Sequence, residues 1–169
     1  KYSDGIIALS ACLAGDISQA LMDRNYEKAK NIALQYRDIF GEGNFYLEIQ
    51  DHGLPEQKEV NAALVKLSKE INIPLVATND IHYVNKEDSK IHHVLMCIQM
   101  GKTVNDPNRM RFGSDEFYLK SREEMEELFP YAPEAIDNTV KIAEMCNIEF
   151  DFNTIHLPKY DVPEGYTPD

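Results

Sequence analysis

Asp80 and His82 stand two residues apart in "PLVATNDIHYV", Pro74 to Val84, just beyond a short apolar run. A carboxylate and an imidazole are both ligand types for zinc, manganese or iron. On an extended chain, side chains two residues apart face the same way, so this spacing would present both to one ion. A plainer reading accounts for the same letters: Asp80 caps the next segment, and His82 is an ordinary loop residue.

Cys12 holds the corresponding place after the first apolar run, and Glu48 and His52 lie in and just after the second. Thiol, carboxylate and imidazole groups at successive strand ends could converge on one site. Each also has a bland alternative. Cys12 could be a small buried residue, Glu48 a paired carboxylate in a half-buried strand, and His52 a turn residue beside Gly53. His93 and Cys97, four residues apart on a helix, share a face as packing pairs commonly do. Lys102, Arg109, Arg111 and Lys120 make a modest basic group that could meet a phosphate or simply neighbouring acids. The acidic run "SREEMEELF" reads as a solvated helix face with Met125, Leu128 and Phe129 turned inward. The chain carries no Walker A motif, no G-x-G-x-x-G, no G-x-S-x-G and no zinc-finger spacing, which removes the common nucleotide-dependent and hydrolase readings.

The elements that must position these groups can be read from periodicity. Residues 6–9 form a short apolar strand, and a helix is expected near Asp16 to Asp23. From Tyr26 to Phe40 the apolar positions recur at three- and four-residue steps, the pattern of an amphipathic helix, and Gly41 and Gly43 stop it. "NFYLEIQ" reads as a second strand. Val60, Ala63, Leu64, Leu67 and Ile71 mark one face of the next helix, with Pro55 suited to its first turn. "PLVAT" is a third strand. Strand, helix, strand, helix, strand calls for parallel strands with covering helices, whose carboxyl ends are where active sites gather. Beyond His82 the alternation weakens. A helix is expected over 86–100, then a polar loop, a short "EFYLK", a helix opening at Ser121 with Glu124 in capping-box position, and another over 133–146.

The 169 residues allow one domain with a sizeable core. Seventeen Lys and Arg against 29 Asp and Glu give a net charge of −12, which argues against holding nucleic acid by bulk charge and leaves room only for a local basic patch. Three widely spaced cysteines without a C-x-x-C suit a reducing, cytoplasmic setting. No apolar run reaches the roughly 18 residues of a membrane span. The start at Lys1-Tyr2-Ser3-Asp4 and the end in "YDVPEGYTPD" lead us to expect a piece of a longer chain.

The segments "GIIALSACLAGDI", "FYLEIQDHGLPEQ", "IPLVATNDIHY", "LMCIQMGKTVND", "EFYLKSREEM" and "NTVKIAEMCN" followed by "LPKYDVPEG", in this order, carry a specific resemblance over essentially the whole chain. They resemble the alpha subunits of bacterial DNA polymerase III, in the second half of their PHP (polymerase and histidinol phosphatase) domain. The resemblance implies an α/β fold: residues 1–100 as the second half of a distorted TIM-like (β/α)7 barrel, and residues 101–169 as a mainly helical junction to the polymerase core. It implies a multinuclear cluster of divalent metal, zinc or manganese, at the strand ends. Among this chain's residues it assigns Cys12 in "SAC", and Asp80 and His82 in "NDIH", as metal ligands; it assigns Glu48 and His52 no such role. The family's H-x-H ligands lie upstream and its polymerase aspartates beyond Asp169, so the resemblance places no catalytic residue here.

For function, the resemblance implies DNA-directed DNA synthesis in the longer parent, with magnesium, DNA and dNTPs at the polymerase domain. Proofreading exonuclease and sliding clamp would be partners, and this region a scaffold with a partial metal site. A stand-alone PHP-type phosphoesterase and a purely structural module are the alternatives. A half barrel would expose strand edges, so self-association of the fragment is also expected.

Overall fold

The structure is a computed structural model and describes residues 2–155, 157 and 162–165. At its centre lie three parallel strands, β1 (Ala8–Leu9), β2 (Phe45–Ile49) and β3 (Leu75–Ala77), in the order β1-β2-β3. Ala8 pairs with Phe45 and Leu47 with Leu75. Because the strands are parallel, each must be reached by a crossover, and helices fill the crossovers. Helices α1 (Asp16–Met22) and α2 (Tyr26–Phe40) join β1 to β2, and α3 (Pro55–Ile71) joins β2 to β3.

Local chemistry sets these boundaries. The Asn25 side chain accepts from Lys28 N at 3.1 Å to open α2, and Gly41, at φ +90°, closes it. Pro55 stands in the first turn of α3, where its missing N–H costs nothing. Asn72, left-handed at φ +54°, ends that helix. Beyond β3 a single 3-10 turn (Lys86–Asp88) leads into α4 (Ser89–Gln99), and then come α5 (Arg122–Leu128) and α6 (Pro133–Met145).

β2 is buried along nearly its whole length, as a strand covered on both faces must be. Leu47 and Ile49 on it are fully buried, together with Leu64 and Leu67 of α3 and Phe129 after α5. α6 packs on β3, where Asn138 Nδ2 donates to Leu75 O at 2.7 Å. The three sheet elements, α2 and α3 stand where the hydrophobic pattern expects them, with each strand shorter by a residue or more.

Three expectations needed adjustment. The helix over 86–100 begins as a 3-10 turn because Asn85 and Asp88 satisfy one another in a capping box before the α-helix starts. "EFYLK" forms only the isolated parallel bridge Tyr83–Tyr118, not a strand. The extended run past β3 ends early, since Asp80 takes a left-handed backbone at φ +42°. The α/β class stands; the described strands form an open three-stranded sheet. Part of the 101–169 junction, at His156, 158–161 and 166–169, lies outside the described residues.

Leu47→Ala removes a fully buried side chain from the central strand, so we expect a loss of about 2–5 kcal/mol in unfolding free energy. Urea denaturation followed by circular dichroism checks it; a change within error of zero would mean that β2 is not the centre of the core.

Candidate functional site at the strand ends

Parallel strands bring the ends of β1, β2 and β3 to one edge, and the Glu48 carboxylate ties them together. Its Oε2 accepts from Ala11 N at 3.0 Å, just past β1. Its Oε1 accepts from Gln50 Nε2 at 3.1 Å and from the Thr78 hydroxyl beyond β3. Glu48 N in turn donates to Ser10 Oγ at 2.8 Å. A half-buried carboxylate with three donors is a structural clamp, and its oxygens are already in use.

Cys12 sits in the turn that the clamp anchors. Ala11 is left-handed at φ +64°, a conformation costing an L-residue roughly 1–2 kcal/mol. Gly15 N donates to Cys12 O at 3.0 Å, and a Cβ at Gly15 would stand 2.4 Å from Ser10 O. The turn therefore closes this tightly only because residue 15 has no side chain. Cys12 is half-buried and its thiol is free. It borders a cavity of about 10 Å³ shared with Glu48, Gln50, Gln57 and Asn61, room for one water at most. Gln50 is buried and its Oε1 has no partner among the described residues.

A second network fixes the end of β3. His52 is 1% exposed; its Nε2 lies 2.9 Å from Asn79 O and its Nδ1 2.8 Å from Gln57 Nε2. A carbonyl only accepts, so Nε2 carries the proton and Nδ1 accepts from the amide. The ring stacks on Phe117 with centroids 3.9 Å apart. Burial holds the His52 pKa below its ordinary value. With both nitrogens engaged in a neutral ring, His52 has no lone pair left for a metal. Asn79 continues the network, donating to Glu116 O at 2.9 Å and Tyr118 O at 2.7 Å. Nothing in the letters "DHGLPEQ" announced this hub except the tight spacing of His52, Gly53 and Gln57.

Asp80 and His82 come directly after this network. The left-handed Asp80 breaks the two-residue alternation that would have set both side chains on one side. What joins the two residues instead is a hydrogen bond from His82 Nδ1 to Asp80 O at 2.6 Å. The carbonyl forces the proton onto Nδ1 and leaves the Nε2 lone pair available, the tautomer that metal-ligating histidines commonly show. His82 is exposed, and its ring meets His92 and Phe112 at centroid distances of 5.3 and 4.8 Å.

Tested as a metal site, the donor set is chemically suitable: a free thiol, a carboxylate and an imidazole nitrogen with its lone pair exposed. Among the described residues, however, no three His, Cys, Asp or Glu side chains gather into a set that could hold an ion. Cys12 and the Asp80–His82 pair lie on one edge of the sheet, on turns from its two outer strands.

The other singled-out groups separate clearly. His93 Nε2 is 4.0 Å from Cys97 Sγ and accepts from Arg109 Nε at 2.9 Å, a contact that helix spacing alone could not reveal. Lys102 pairs with Asp106 at 3.2 Å and Lys120 with Glu116 at 3.0 Å, so those two lysines meet neighbouring acids. Glu124 caps α5 through Ser121 as expected.

Residues 1–52 match the PHP domain family. Over 167 residues, 99% of its length, the chain is 44% identical to DNA polymerase III subunit alpha of Treponema pallidum. It is 46% identical over 164 residues to that of Borreliella burgdorferi, and 43% over 173 residues to that of Thermus aquaticus. The chain spans 14% of the length of each of these relatives. The chain is thus similar along its length to bacterial DNA polymerase III alpha subunits, with the PHP match over its first 52 residues. No helix among the described residues is long and apolar enough to cross a membrane.

Because burial lowers the folded pKa of His52 below 6.5, the unfolded chain takes up the proton first as pH falls. Stability from this group is full above pH 6.5 and is lost as pH drops through the folded value, by at most about 1.4 kcal/mol per pH unit. We expect His52→Gln to be less stable at pH 7.5 yet to show a shallower decline toward acid. Denaturant titrations across that range check this, and equal slopes would refute it.

Proposed function

We propose that this chain is the later part of the PHP region of a DNA polymerase III alpha subunit, whose longer parent carries out DNA-directed DNA synthesis. The observation that carries the reading is 44% identity maintained over 99% of the chain. In the parent, DNA, dNTPs and magnesium would meet at the polymerase domain. A proofreading exonuclease and a sliding clamp would be its replisome partners in the cytoplasm. Residues 1–100 would complete a PHP barrel with strands from elsewhere in the parent, and residues 101–169 would join that barrel to the polymerase core.

Within this reading Cys12, Asp80 and His82 contribute ligands to a zinc or manganese site whose other ligands lie elsewhere in the parent. Such a metal, when bound, would activate water and stabilise a departing phosphate oxygen. This chain's own residues orient and hold: the Glu48 clamp fixes the turn bearing Cys12, and the His82 Nδ1 proton bound to Asp80 O presents Nε2. The free donors on both turns support a metal role over a purely structural one. A self-associating form of the isolated chain is part of the same proposal, supported by the open edges of the described sheet and by Ile91, Leu95 and Ile98 exposed along α4.

Metal content by mass spectrometry tests the site. The chain is extended by its relatives' upstream PHP residues and compared with the same protein carrying Cys12→Ala, Asp80→Ala and His82→Ala. We expect more than one ion per extended chain and loss of metal in the triple variant. Equal metal in both, or none above background in either, would refute the ligand assignment. Sedimentation velocity of the 169-residue chain should show dimers or larger species; a monomer at all concentrations would refute self-association.

A further inference from the structure

A cleft of about 430 Å³ opens between the start of α4 and the loop 109–115, away from the Cys12 turn. Its lining includes Lys90, His92, His93, Arg109, Arg111 and Ser114, with Asp115 as its carboxylate. In a chain of net charge −12 this is a local reversal of sign.

What sets the cleft apart is that several cations gather in one concavity and are not all paired. Lys30, Lys86, Lys102, Lys120 and Arg122 each lie against a carboxylate. Lys90 and Arg111 have no ion-pair partner among the described residues, and Asp115 faces Lys86 at 3.9 Å. Arg109 is held in place by neutral acceptors, with the Asp106 carboxylate, itself paired to Lys102, close by. Its Nε donates to His93 Nε2 at 2.9 Å and its Nη1 to Asp106 O at 2.8 Å, both uncharged acceptors. The guanidinium keeps its remaining N–H groups, already oriented. Ser114 Oγ accepts from Glu116 N at 3.1 Å, which leaves its hydroxyl proton free to donate. A fixed guanidinium fork, two unpaired cations and a hydroxyl donor match the charge and the several acceptor oxygens of a phosphate group.

We propose that this cleft binds a phosphate oxyanion, through Arg109, Arg111 and Lys90. It adjoins His82 through His92 and Phe112 but takes none of Cys12, Asp80 or His82 as a ligand, so in the absence of metal it is tested separately from the metal reading. The phosphate could be supplied by a nucleic-acid backbone or by a free phosphate.

The test is a map of backbone amide shifts by NMR on the full chain, in EDTA to exclude metal. Titration is with sodium phosphate, with sodium chloride at equal ionic strength, and with a short single-stranded oligothymidylate. Saturable shifts at 109–115 and the first turn of α4 are expected with phosphate and not with chloride. The paired change Lys90→Glu with Arg111→Glu should weaken binding on the order of tenfold, whereas Lys28→Glu with Lys58→Glu, an equal charge change elsewhere, should not. If the oligonucleotide shifts the same amides, a nucleic-acid backbone is the source; if phosphate alone does, a free phosphate is. No shift beyond the chloride control, or equal weakening by both double variants, overturns the site. The wild-type map decides even if a double variant fails to fold.

Discussion

The hydrogen bonds of one carboxylate hold this sheet together at the end that matters. Parallel ladders join β1 to β2 and β2 to β3 along their length, but the pairing covers only two residues in the first case and three in the second. Glu48 continues the connection past the last ladder bond, reaching Ala11 on one side and Thr78 on the other. Without an acceptor there, the Ala11 amide would lose its charged partner and its left-handed backbone would lose its restraint. The position of Cys12 is thus a consequence of a side chain that lies 37 residues beyond Ala11 in the chain.

His52 does for the third turn what Glu48 does for the first. As a neutral, buried ring it converts the loop after β3 into an acceptor–donor chain running from Gln57 through Asn79 to the segment around Tyr118. That chain fixes the backbone at residue 79, and the next residue then turns left-handed. The result is a His82 ring whose Nδ1 is held by the Asp80 carbonyl. His52 and His82 differ in a simple respect: in the first both ring nitrogens have partners, in the second only Nδ1 does among the described residues.

Much of this frame was legible in the letters. Apolar steps of three and four residues located α2 and α3, and Gly41, Pro55 and Ser121 marked helix limits through chemistry that depends only on near neighbours. The parallel sense of the strands could be read from their alternation with helices. The rim was less legible because its contacts are long-range: Glu48 to Ala11, His52 to Asn79, Arg109 to His93. Asp-x-His spacing sets both side chains on one side only where the chain stays extended through residue 82, and the left-handed Asp80 removes that condition while leaving the two residues joined. The basic group was ambiguous for the same reason. Sequence shows which lysines and arginines are near in the chain, whereas the acids that meet Lys102 and Lys120, and the acceptors that orient Arg109, are settled by folding.

The two left-handed residues on the rim, Ala11 and Asp80, have a kinetic consequence. Each carries a side chain in a conformation that L-residues seldom adopt, so each turn is wound against its own preference and stays wound only while the hydrogen bonds beneath it persist. Local opening of such segments needs less free energy than unfolding the core. The lifetime of the arrangement around Cys12 and His82 is therefore governed by the fraying of two short turns, and a change that leaves global stability untouched can still shorten it.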